Sequence, residues 1–135
     1  MKRVLVVVTS FVLALGMLAG CAESVPEPVK VLDDAIHEVE RALGRYVQID
    51  PNGPADEVER ATDRVTSAWS TAVDAAADVD DVDISDAQAA YEALIAAVDG
   101  ISDDMTAGEA FAAIEEYVDA FEEAVDEVHD ALDAH

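Results

Sequence analysis

The chain predicts an all-α fold: an antiparallel up-down four-helix bundle with a shorter third helix, behind an N-terminal signal peptide. Three observations predict it. In four segments, apolar residues recur at alternating three- and four-residue steps, which gathers them on one face of each helix. No segment alternates convincingly at period two, so no sheet is expected. The segments are separated by short stretches rich in Gly, Pro and Asp, and short connections favour antiparallel neighbours.

Residues 1–20 read as a signal peptide. Lys2 and Arg3 precede an apolar run from Val4 to Leu18 that ends in small residues. That run, about 15 residues, is shorter than the roughly 20 a spanning helix needs. Residues 21–28 form a tether, whose last seven residues reach at most about 25 Å when extended. Residues 29–135 form an acidic helical bundle domain. Its first helical stripe carries Val25, Val29, Leu32, Ile36, Val39, Leu43 and Tyr46 on one face. Gly44 and Asp50-Pro51-Asn52-Gly53-Pro54 end it, and Pro54 suits the first position of the next helix. The second carries Val58, Thr62, Val65, Trp69, Ala72, Ala76 and Val79. A shorter third carries Ala87, Tyr91, Leu94, Val98 and Ile101, and closes at Asp99-Gly100. The fourth carries Ala107, Phe111, Ile114, Val118, Phe121, Val125, Val128 and Leu132. Ser85 with Gln88, and Thr106 with Glu109, both match capping boxes, in which side chains satisfy two otherwise orphaned backbone donors.

Leu18-Ala19-Gly20-Cys21 resembles the lipobox of bacterial lipoproteins. The resemblance covers residues 1–21. It implies that Cys21 receives a diacylglyceryl group, that a dedicated signal peptidase recognises Leu18, Ala19 and Gly20 and cuts before it, and that the new N-terminus is, as is usual in that family, acylated as well. Two or more acyl chains hold a protein on a membrane where one is marginal. The implied location is extracytoplasmic: lipid-anchored to the cell membrane, or to an outer membrane if the envelope has one. Cys21 is the only cysteine, so a disulfide within the mature chain and a thiolate zinc site are both excluded.

Charge narrows the partners. Beyond Arg3 the basic residues are Lys30, Arg41, Arg45, Arg60 and Arg64, against 31 acids, giving 5 − 31 = −26 for the mature chain. Nucleic-acid binding needs a basic surface, and is excluded as a direct role. The same charge opposes a peripheral grip on anionic headgroups. The four arginines end the first helix and begin the second, so they should gather at the end of the bundle away from the anchor. There Asp99, Asp103, Asp104 and Glu109 are expected to pair with them. The outer face of the fourth helix, from Glu115 to Asp133, is a band of acids without one basic neighbour. Like charges at i,i+4 destabilise a helix, so stability is expected to rise with salt.

Chemistry has few footholds. Asp78, Asp80, Asp81, Asp83 and Asp86 form an acidic loop, a candidate for weak divalent-cation binding. On the EF-hand pattern, Asp81, Asp83, Ser85 and Glu92 fall at positions one, three, five and twelve. Asp86 then stands where the sharp turn requires glycine. Asp34-Ala-Ile-His37 and Asp126-Glu-Val-His129 distantly echo the Glu-x-x-His of di-iron bundles, but the inward positions belong to Ile36 and Val128. His129, Asp133 and His135 could hold a metal only loosely. No phosphate loop, nucleophile elbow or His-Glu-x-x-His is present. Trp69, beside a run of alanines, is expected to fill the core. These features together read as a non-catalytic binding or structural module for another envelope protein, with no required cofactor. The alternative is a cell-surface divalent-cation binding or buffering protein.

Overall fold

The computed structural model describes residues 26–134; the signal segment, Leu18, Ala19, Gly20, Cys21 and Val25 lie outside them. The described chain is helical: α1 (Glu27–Gly44), a 3-10 turn at Tyr46–Gln48, α2 (Asp56–Ala76), α3 (Ser85–Asp99) and α4 (Ala107–Asp133). At 15 residues α3 is the shortest of the four helices. Among the described residues there is no strand, only an isolated bridge between Pro54 and Thr106. No helix there is long and apolar enough to cross a membrane.

Packing follows the apolar stripes. α1 lies chiefly against α2, α3 against α4, and α1 also meets α4. Side-chain pairs fix the directions. Tyr46, just past α1, shares a 2.6 Å hydrogen bond with Thr62 early in α2, and its ring stacks 5.7 Å from Phe111 near the start of α4. Near the end of α4, His129 meets Glu40 of α1 at 2.9 Å. Trp69, late in α2, donates its indole N–H to Gln88 at the start of α3 (2.7 Å). Each of these helix pairs therefore runs antiparallel.

The core is the union of the four stripes. Leu32, Ile36, Val39, Val58, Val65, Leu94, Ile114, Phe121 and Val125 are fully buried. Trp69 fills the core as expected, edge-on to Phe121 at a centroid distance of 5.2 Å. On α3 only Ala87 and Leu94 are buried, while Tyr91 and Val98, with Ile101 just beyond the helix, pack partly against the cluster. Ala75 is buried where the spacing favoured Ala76, which is only partly covered.

α1 begins at Glu27, with Pro28 tolerated in a first turn whose N–H groups have no helical partner. Two local expectations need correction. Pro54 stands outside α2: its carbonyl accepts from Glu57 N (3.1 Å) while the chain at this point bridges to Thr106. The Thr106–Glu109 capping box forms, but the Ser85–Gln88 one does not. Ser85 is itself helical, and Asp83 Oδ1 accepts from both its backbone N (2.8 Å) and its hydroxyl (2.6 Å). Gln88 is recruited instead by the Trp69 indole, a buried donor that needs an acceptor.

The α1–α2 and α3–α4 connections meet at one end. Ala107 N donates to Gly53 O (2.8 Å) and Gly108 N to Pro51 O (3.0 Å). A β-carbon on Gly108 would lie 2.9 Å from Pro51 Cβ, so this junction needs glycine.

Candidate functional site

The acidic loop does not assemble into a ligand set. Asp83 is engaged with Ser85, and those hydrogen bonds hold its carboxyl below the ordinary aspartate value. Asp81 takes a left-handed backbone (φ 68°). The group of three potential metal-ligating residues found among the described residues lies elsewhere and includes none of Asp78, Asp80, Asp81, Asp83 or Asp86.

The arginines do gather. Arg45, Arg60 and Arg64 line a groove of about 390 Å³ with Gln48, Ile49, Asp50 and Glu57; Arg41 joins Arg45 and Arg64 around an adjoining one. The expected pairing with Asp99, Asp103, Asp104 and Glu109 is absent. The grooves are lined only by residues of α1, α2 and the turn between them, none from the α3–α4 connection, and Glu109 is held in its capping box. Arg41 pairs with Glu38 on its own helix. Arg45, Arg60 and Arg64 have no carboxylate within ion-pair distance among the described residues. On the other side of Ile49, an apolar cleft of about 320 Å³ is lined by Tyr46, Val47, Pro51, Ala107, Gly108 and Phe111. Val47 at its rim is 80% exposed.

Toward the opposite end, α1 and α4 bring together Asp33, His37 and His129, with one potential ligand atom from each within 4.8 Å of the others. The imidazole rings meet edge-on at 4.8 Å between centroids. His129 Nδ1 bonds Glu40 Oε1 at 2.9 Å, while its Nε2 lies 3.6 Å from Asp33 Oδ1. His37 Nδ1 lies 2.9 Å from the Asp33 carbonyl oxygen and 3.7 Å from Asp33 Oδ2. The Glu40 hydrogen bond raises the His129 pKa above the ordinary histidine value; partial burial opposes it, and the charges of Glu40, Asp133 and Asp33 add to it.

The two histidines stand out in the sequence, but nothing local marks the carboxylates that meet them across the helix pair. The Asp-x-x-His pattern singles out Asp34 and Asp126, and both are exposed. The residues that join the histidines are Asp33, one helical turn before His37, and Glu40, 89 positions from His129. The i,i+4 spacing of Asp33 and His37 was the available signal. The α1–α4 apposition has no local signal at all.

No family model, curated protein or solved structure matches this chain.

Proposed function

We propose that this protein is a non-catalytic binding module, held by a lipid on Cys21 at the outer face of a bacterial membrane, whose far end docks another envelope protein. The observation that carries the reading is the pairing of two surfaces at the α1–α2 end. Three arginines without carboxylate partners line one groove, in a chain with 31 acids, and a cleft rimmed by exposed Val47 lies across Ile49. Buried apolar anchors beside arginine are what interface centres use. The partner segment this surface fits is acidic with one apolar anchor. Geometry supports the placement: α1 is 18 residues, about 27 Å long, and begins six residues after Cys21, so the docking end stands away from the membrane.

The test uses the full-length protein in bacterial cells, with a photo-cross-linker at Val47 and, as control, at Asp130 near the other end. One discrete adduct from Val47 is expected, lost on Arg45→Glu/Arg60→Glu and lost from the membrane fraction on Cys21→Ser. Equal adducts from both positions, or an adduct indifferent to the arginine reversal, would overturn the reading.

A further inference from the structure

We infer that Asp33, His37 and His129 form a divalent transition-metal site of zinc type that clamps α4 to α1. Two imidazoles and one carboxylate are a ligand set that zinc takes readily, with a fourth position left to water. It is a poor set for calcium or magnesium, which take oxygen ligands. The site is therefore distinct in chemistry and place from the acidic loop, and independent of the docking end.

Three features of the cluster argue for binding. The His129 Nε2 to Asp33 Oδ1 separation of 3.6 Å is close to the roughly 3.4 Å edge of a tetrahedron with zinc–ligand distances near 2.1 Å. His37, whose side chain is 45% exposed, offers its own ligand atom within 4.8 Å of the other two. Next, the hydrogen bonds around the rings select the ligating nitrogen. With Nδ1–H of His129 donating to Glu40, the Nε2 lone pair faces Asp33. A carboxylate on the distal nitrogen of a metal-bound histidine is the usual outer support of such sites. With Nδ1–H of His37 donating to the Asp33 carbonyl, its Nε2 keeps a lone pair as well. Finally, the residues come from two helices far apart in sequence, and each is partly accessible, so an ion can enter from solvent and, once bound, joins the start of the domain to its end.

The chain is acidic enough to collect cations nonspecifically, so the test must separate a site from an atmosphere. Full-length protein in detergent is titrated with zinc chloride in millimolar magnesium chloride, and in parallel with cobalt chloride as a spectroscopic probe. One equivalent is expected to bind, with visible d–d absorption of cobalt and a melting temperature raised by several degrees. His37→Ala and His129→Ala should each abolish the cobalt spectrum. Glu40→Gln should keep it while weakening zinc about 10- to 100-fold, as loss of an outer hydrogen bond does. Asp34→Asn and Asp126→Asn should change neither. Far-UV circular dichroism of the apo variants establishes that they are folded. Zinc stoichiometry unchanged in folded His37→Ala/His129→Ala, or complete displacement by magnesium, would overturn the site.

Discussion

Tyr46 shows how one polar atom is made to fit an apolar interior. Its side chain is buried, and its hydroxyl meets Thr62 Oγ1, which donates in turn to the Val58 carbonyl at 2.8 Å. With that hydroxyl donating to Val58, the phenolic O–H is left to donate to Thr62. Every group in the chain is then satisfied, and no buried side-chain polar atom among the described residues lacks a partner. Burial pushes the Tyr46 pKa up to about 12, the Thr62 hydrogen bond opposing it. The folded state thus resists ionisation that the unfolded chain undergoes near pH 10. Stability from this group is intact below pH 10 and is lost as pH rises from 10 towards 12, on the order of 2–3 kcal/mol in all. Denaturant melts at pH 9 and pH 11.5 should show this loss. Tyr46→Phe should be less pH-sensitive over the same range, since it has no proton to release. Equal sensitivity of the two proteins would refute the assignment.

At the scale of elements, the two loops of the docking end depend on each other. Gly53 and Pro51 supply carbonyls to the first two residues of α4, whose N–H groups have no partner within the helix. The junction is close because Gly108 has no side chain. Gly108→Ala forces Cβ into Pro51, and neither a proline ring nor its backbone can swing aside. This substitution would normally favour a helix by up to about 1 kcal/mol; here a net destabilisation of about 1–3 kcal/mol is expected, as for other overpacking changes. Thermal unfolding would measure it, and a variant as stable as the parent would show that the loops can separate at no cost. α3 stands at the other extreme. With only Ala87 and Leu94 buried, it is anchored to α2 also by polar contacts, Gln88 on Trp69 and the Tyr91 hydroxyl on Thr66 at 3.0 Å.

Across the whole molecule, charge is segregated. Glu115, Glu116, Asp119, Glu122, Glu123, Asp126, Glu127, Asp130 and Asp133 are all exposed along α4. None of them has an ion-pair partner among the described residues. The arginines, which could have offset this band, line the α1–α2 grooves instead. Repulsion of roughly 0.2–0.5 kcal/mol per i,i+4 pair is screened by salt. The melting temperature should therefore climb by several degrees between 20 mM and 500 mM sodium chloride. A flat response would mean that the carboxylates are already neutralised by protons or bound ions.

The helices, their order and nearly all the core were legible in the sequence, because burial on a helix imposes a 3.6-residue period that any stripe such as Leu32, Ile36, Val39 and Leu43 must display. Thr106 with Glu109 was legible for the same reason: a cap is decided within one turn of chain. Gln88 was not, because its side chain answers to an indole 19 residues away. The unpaired state of Arg45, Arg60 and Arg64 depends on which face of the α1–α2 pair they occupy, and no local pattern encodes that. The meeting of His37 with His129 is the extreme case. Periodicity correctly kept both out of the core, but only the packing of α4 on α1 could place them at one seam with Asp33 and Glu40. Short-range hydrogen bonding and apolar period are properties of a segment, and the sequence determines them alone. Convergence of side chains from distant segments depends on the relative rotation and register of packed helices, which the tertiary structure alone decides.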